Sequence, residues 1–300
     1  MNKLSKTLCW IAGGALTVAA GAVGTGYLIG NYKRDRVVEL PKPVEELDLA
    51  RGRVEHGAYL YRTRGCVDCH GAAGAGRVAA DSGGLLIVAP NITGGLNSAV
   101  REYAVSDWVR TLRHGVKPSG RPVLFMPSED YNRLSDADMA SLVLYVKQLP
   151  AVPGKAAMVH FPLPVQLMYG FGLIRDAAQK IDHDLPPPAP VAAAVSLQHG
   201  AYVANACIGC HGAHLGGGKV PGGPPDWPAA ANLTPGEGSV LPTYPTAESF
   251  SRMLRTGVRP DGSKVNPAMP FESLREMNDT DVHALYAFLK TAPPRAFGSR

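Results

Sequence analysis

Cys66 and Cys69 stand on either side of two residues, and His70 follows directly, in the run Cys66-Val67-Asp68-Cys69-His70-Gly71. The same arrangement returns as Cys207-Ile208-Gly209-Cys210-His211-Gly212. Three chemistries use cysteines at this spacing. A redox dithiol normally sits in a βαβ setting, and no such pattern surrounds either motif. A zinc site built from the Cys and His residues would not explain why His follows the second Cys in both copies. Covalent attachment of haem explains both features. Two thiols at this spacing on a helix end each reach one vinyl group of the same porphyrin, and the next side chain projects onto the iron. The chain is therefore expected to carry two covalently bound c-type haems, with Cys66, Cys69, Cys207 and Cys210 as attachment points and His70 and His211 as axial ligands.

The opposite face of each iron needs its own ligand. Met126 lies 56 residues after His70, and Met269 lies 58 after His211. Each precedes a proline in a Gly/Pro-rich loop, Met126-Pro127 and Met269-Pro270, ahead of the last helix of its copy. Repetition at matched positions sets these two apart from Met139, Met158, Met168, Met253 and Met277, which read as packing residues. Met/His ligation raises the potential and leaves no open position for substrate, so the expected role is electron transfer and not catalysis. The rival is a dihaem peroxidase, which needs one displaceable sixth ligand; two matched Met-Pro loops argue against it. An axial His usually gives its other N–H to a carbonyl. The loops Pro90-Asn91-Ile92-Thr93 and Ala231-Asn232-Leu233-Thr234 are candidates to supply it, with Asn91 and Asn232 as alternative turn-shapers. Arg113 and Arg255 are read either as partners of haem propionates or as part of solvated helix faces. His56 and His199 are expected at the surface.

These motifs belong to one unit written twice. His56-Gly57-Ala58-Tyr59 returns as His199-Gly200-Ala201-Tyr202, and Arg110-Thr111-Leu112-Arg113 returns as Arg252-Met253-Leu254-Arg255. The offset stays between 141 and 143 residues throughout, so length changes fall in loops and the order of parts is kept. Each copy reads as helices joined by long loops. Ser106-Asp107 and Thr246-Ala247-Glu248 supply N-cap chemistry for a middle helix. Ser135, with Asp138 three positions on, opens the last helix of the first copy; Asn278 opens that of the second. Met139, Leu142, Val143 and Val146 fall on one face at helical spacing, and Pro150 and Pro153 end that helix. No alternating strand run is read. The expected fold class is all-α: an N-terminal transmembrane helix followed by two tandem domains, 50–150 and 197–293. Residues 37–49 are read as a stalk, 151–196 as a linker with a helix near Leu163–Ile181 and a Pro186–Pro190 spacer, and 294–300 as a tail.

The first 36 residues carry Lys3 and Lys6, an apolar run from Leu8 to Ile29, then Lys33, Arg34 and Arg36. The run is long enough to span a bilayer. Trp10, Tyr27 and Tyr32 stand where an interfacial aromatic belt would lie. A retained anchor is the reading taken; a signal peptide cleaved at Ala20-Gly21-Ala22 is the alternative. Cys9 is read as a small packing residue. Gly (34) and Pro (26) are abundant, so much of the chain is loop, and thin loop-rich domains gain from a large apolar group to wrap. The net charge of +5 comes without a basic run interleaved with aromatics, so nucleic acid is not an expected partner.

With these residues placed, both halves resemble bacterial class I cytochrome c domains. They are most similar to membrane-anchored cytochrome c subunits of periplasmic dehydrogenases, of the quinoprotein alcohol dehydrogenase and gluconate dehydrogenase type. The resemblance rests on Gly-Ala-Tyr before each Cys motif, the Asn-x-Thr loops, the Arg-x-Leu-Arg-x-Gly-Val helix ends and the Met-Pro loops. It implies the ligand sets Cys66, Cys69, His70, Met126 and Cys207, Cys210, His211, Met269. It also implies a location on the periplasmic side of the bacterial inner membrane. The implied donor is a periplasmic dehydrogenase or a quinol-linked respiratory complex, and the implied acceptor is a terminal oxidase or soluble cytochrome. The chain departs from those subunits in having two such domains, where they commonly have three, and in carrying its anchor at the N-terminus.

Overall fold

The computed structural model describes residues 3–223 and 226–300. A single helix, α1 (Lys3–Asp35), opens the chain. It is long and apolar enough to cross a bilayer, and none of its most apolar window is buried against the rest of the protein. The side chain of Cys9 lies outside the described residues.

The first domain contains α2 (Val54–Thr63), α3 (Cys66–His70), α4 (Val105–His114), α5 (Ser128–Tyr131) and α6 (Asp136–Gln148). The segment between the domains holds α7 (Leu163–Gly170) and α8 (Ala177–Lys180). The second domain contains α9 (Leu197–Ala204), α10 (Ile208–His211), α11 (Ala247–Thr256), α12 (Phe271–Leu274) and α13 (Asp279–Thr291). In each domain the first and last helices cross closely, α2 on α6 and α9 on α13. The repeated glycine makes the crossing: a Cβ on Gly57 would strike the Ser141 carbonyl, and one on Gly200 the Ala284 carbonyl. Leu60, Tyr61, Met139, Leu142 and Val143 fill the first core; Val203, Leu241, Val282, Leu285 and Leu289 fill the second. Met139, Met253 and Met277 are buried as expected, whereas Met158 and Met168 are exposed.

Five sequence expectations about the elements need correction. The protein is mainly helical but not purely so. Strands β1 (Val78–Ser82), β2 (Leu85–Val88) and β3 (Met158–His160) form an antiparallel sheet in the order β1-β2-β3. Its hairpin turns on Gly83 and Gly84, both at positive φ (56° and 80°), which the tight right-twisted turn requires. The stalk at 37–49 is not free, because the Val38 N–H donates to the Gly120 carbonyl and Leu47 is buried in the first core. Residues 294–300 are not a loose tail. The Gly298 N–H donates to the Gly216 carbonyl, and the Arg300 guanidinium reaches the Cys210 carbonyl at 2.8 Å. The linker holds two short helices in place of one; α8 packs on the first domain at Gly115, while α7 packs on α1. The middle helix α4 starts two residues early. Its cap is Ala104, whose N–H is held by the Asp107 carboxylate at 3.0 Å. Thr246 caps α11 as expected.

The two domains meet through reciprocal contacts, and the repeated His-Gly-Ala-Tyr segments form the joint. His56 Nε2 contacts Asp138 at 2.8 Å within its own domain, and Tyr202 from the other domain donates to the same carboxylate at 2.6 Å. The mirror set is His199 to Asp281 at 2.7 Å and Tyr59 to Asp281 at 2.7 Å. Each Tyr hydroxyl in turn accepts an N–H from the opposite cap residue, Ser135 or Asn278. His56 and His199 are thus joint residues and not surface residues. Burial opposes the charge on Asp138, but the hydrogen bonds from His56 and Tyr202 hold its carboxyl below the usual range.

Candidate haem-attachment sites

Each attachment helix is about one turn long and is closed by a glycine. Gly65 and Gly71 flank α3 with φ of 79° and 72°, and Gly212 closes α10 at 82°, while Cys207 caps the start of α10 after a 3-10 turn. A side chain at these positive φ values would be strained, so glycine sets where each motif helix ends. Among the described residues the four motif cysteines form no disulfide. Burial pushes the Cys66 and Cys207 thiols up to about 12, and raises those of Cys69 and Cys210.

His70 Nδ1 lies 2.8 Å from the Pro90 carbonyl, and His211 Nδ1 lies 2.8 Å from the Ala231 carbonyl. A carbonyl only accepts, so each Nδ1 carries the proton and each Nε2 keeps its lone pair. Burial lowers the pKa of both rings despite that hydrogen bond, so both stay neutral and able to bind a metal. Asn91 and Asn232 hold the carbonyl-bearing loops. Asn91, fully buried, donates to the Leu96 and Val152 carbonyls and accepts the Thr93 N–H; Asn232 does the same with Glu237, Arg295 and Thr234. The alternatives read from sequence are therefore both present, with the carbonyl serving the His and the Asn side chain shaping the turn.

The Met loops are built alike. The Ser128 N–H donates to the Met126 carbonyl and the Phe271 N–H to the Met269 carbonyl, both at 2.9 Å. The intervening prolines sit at φ −79°, ψ 66° and φ −79°, ψ 71°, which is the inverse γ-turn. Both methionines are partly buried against the core of their own domain. Arg113 does not lie on a solvated helix face, whereas Arg255 does, exposed on α11. Arg113 is buried and binds the Asp136 carboxylate and the Leu134 carbonyl; Arg255 binds Asp279 and the Arg275 carbonyl. Each anchors the start of the last helix.

A c-type haem fits these residues. The paired free thiols, the neutral imidazole with a free Nε2 and the partly buried thioether are the donors it needs. A further observation fits as well. Trp108 is buried with its indole N–H unpartnered, and a haem carboxylate is an acceptor that would satisfy it. The matching residue of the second domain, Phe250, has no such group.

The motif helices also meet the joint. α3 packs on α12 of the other domain, where Ser273 donates to Asp68 at 2.7 Å. α10 packs on α5, where the Gly209 N–H meets Asp130. Burial, then repulsion from Glu129, pushes the Asp130 carboxyl up to about 8.

Fold and site together define a tandem pair of domains, each built around a Cys-x-x-Cys-His turn. The family model described as "Cytochrome c" matches residues 54–150 and 199–293, and the chain belongs to that family. It is 37% identical over 103 residues to the fructose dehydrogenase cytochrome subunit of Gluconobacter japonicus, covering 32% of this chain and 21% of that one. It is 38% identical over 98 residues to the cytochrome c subunit of the quinone alcohol dehydrogenase of Gluconobacter oxydans, covering 31% and 20%. The gluconate 2-dehydrogenase cytochrome c subunit of Pantoea cypripedii is 32% identical over 98 residues, covering 31% and 22%. The matched stretch thus spans about a fifth of the length of each of these relatives.

Proposed function

We propose that the chain is a membrane-tethered dihaem electron carrier, the cytochrome partner of a periplasmic dehydrogenase. Bound haem supplies a one-electron Fe(III)/Fe(II) couple. Cys66 and Cys69 hold the first group, with His70 and Met126 as axial ligands; Cys207 and Cys210 hold the second, with His211 and Met269. The carrying observation is the pair of identical His–carbonyl contacts beside matched Met γ-turns. Two donors fixed alike in both domains, with no third role for either, suit electron transfer and leave no reacting position.

The names of the relatives support a dehydrogenase as electron donor. A quinol-linked complex in that place, and a terminal oxidase or soluble cytochrome as acceptor, complete the chain of transfer. α1 holds the protein to the inner membrane, with both domains on the periplasmic side. Because both motif helices pack at the interdomain joint, electrons exchange between the two haems within one molecule.

The test is direct. Protein from native membranes is extracted with acid–acetone and assayed as the pyridine haemochrome. Two non-extractable c-type haems per chain are expected, together with a co-purifying dehydrogenase subunit. One haem per chain, extractable haem, or peroxide reduction at an enzymatic rate would overturn the reading.

A further inference from the structure

The run 161–174, Phe161-Pro162-Leu163-Pro164-Val165-Gln166-Leu167-Met168-Tyr169-Gly170-Phe171-Gly172-Leu173-Ile174, carries no Asp, Glu, Lys or Arg and is largely apolar. It lies between the domains, yet its helix α7 packs on α1. The contact is close. A Cβ on Gly26 would come within 2.7 Å of the Phe171 ring, one on Gly30 would meet Gln166, and one on Gly170 would strike the Gly26 carbonyl. Gly26 and Gly30 share one face of α1, the small-residue crossing that lets helix backbones approach in apolar surroundings.

The polar groups of α7 are satisfied by α1. Buried Gln166 reaches Asn31 at 3.0 Å. Lys33 extends its ammonium to the Gly170 and Tyr169 carbonyls at 2.8 and 3.3 Å, completing the open C-terminus of α7. Just beyond, Arg36 forms a two-pronged pair with buried Asp176, which also accepts the Tyr169 hydroxyl. What α7 and the following loop turn outward is apolar: Leu163 (49% exposed), Met168 (38%), Phe171 (54%) and Leu173 (66%).

We infer that segment 161–174 is a second membrane contact, seated in the periplasmic leaflet beside α1. The inference rests on the reading of α1 as a membrane span. Depth argues for it. Phe171 packs at Gly26, inside the apolar run of α1, and Lys33 is the first charge after that run. Seven helical residues separate them, about 10 Å along the axis, which is the depth to which an interfacial helix sinks. The outward apolar surface is therefore continuous with that of α1 at Tyr27 and Leu28. Charge agrees: Lys33 and Arg34 end the apolar run of α1 and Arg175 ends that of 161–174, where anionic lipid headgroups lie. With the stalk packed on the first domain, this second contact fixes the height and tilt of the haem domains over the membrane.

The full chain, reconstituted alone into phosphatidylethanolamine–phosphatidylglycerol liposomes, tests it. The liposomes carry a phospholipid with a diazirine at the end of an acyl chain. Light generates a carbene that inserts into whatever shares the acyl layer, and mass spectrometry of the digest maps the adducts. Adducts are expected within residues 8–29 and within 161–174, with none on the peptides holding Leu96 and Phe125, which are exposed on the domains. Adducts on 8–29 alone overturn the inference and leave the tether standing, with the apolar face then belonging to a protein partner. Adducts on neither segment overturn the tether itself, so the two failures are told apart.

Discussion

The Met γ-turns give each thioether a fixed approach, so their removal has a local effect. Met126→Ala is expected to let CO bind the first haem only, and Met269→Ala the second only, read as a ligand-induced spectral change in half the haem. The sites sit in separate cores, so the double variant should show the sum of the two. Asp130 offers a second test at this scale. Its carboxyl ionises near pH 8 while touching the second motif helix. A new negative charge there favours Fe(III), so the second haem's potential should fall as pH rises through about 8. Asp130→Asn should flatten that fall, as spectroelectrochemistry would show. The Cys-x-x-Cys-His turns and the Met-Pro loops were legible from residue type and spacing alone. The partners of His56, His199 and Arg113 were not. Each His meets its carboxylate 82 residues away, and no local pattern marks such a partner.

At the scale of elements, the crossing of first and last helices is set by one glycine in each domain. Gly57→Ala would press a methyl into the Ser141 carbonyl, which backbone cannot yield as a flexible side chain can. Overpacking of this kind costs about 1–3 kcal/mol. The first domain should therefore melt earlier, with the Met126 thioether band near the red end of the spectrum lost at lower temperature than in the parent. Gly200→Ala should act likewise on the second domain. Helix positions were legible because caps and apolar faces repeat in both copies. The sheet was not, for two reasons. β1 and β2 are only half-buried and lack a clean alternation, and β3 comes from 70 residues further on, beyond the domain's last helix. The signal available was Gly83-Gly84 before Leu85-Leu86-Ile87-Val88, a hairpin turn ahead of an apolar run. The start of α4 was misplaced because Asp107 caps from inside the helix, reaching back to Ala104.

The whole molecule depends on a joint that is polar, and polar joints answer to pH. Apolar periodicity does not reveal such a surface, which is why the sequence read as two beads on a proline spacer. Asp138 binds one residue from each domain, and its native pKa lies below the unfolded value. A depressed carboxyl contributes stability that is complete above the unfolded pKa, about 3.9, and is lost as pH falls through the native one. The contribution of Asp138 to the joint should therefore hold unchanged from pH 7 to about 4 and be lost only below that. Tyr202→Phe removes one donor to a charged acceptor, worth about 1.5–3 kcal/mol, and Tyr59→Phe does the same at Asp281. The double variant should show a weakened joint at neutral pH, with each domain still folded and haem-loaded. Hydrogen exchange reads this at two amides, because the Ser135 and Asn278 N–H groups donate to the two Tyr hydroxyls across the joint. In the parent both amides should be protected at pH 7, and the Ser135 amide, which rests on the Tyr202–Asp138 set, should keep that protection down to about pH 4 once intrinsic rates are divided out. In the double variant they should exchange freely at pH 7, while amides inside α6 and α13 keep their protection. Unchanged protection at Ser135 and Asn278 in the variant would mean that apolar contacts, and not the Tyr–Asp–His sets, hold the domains together.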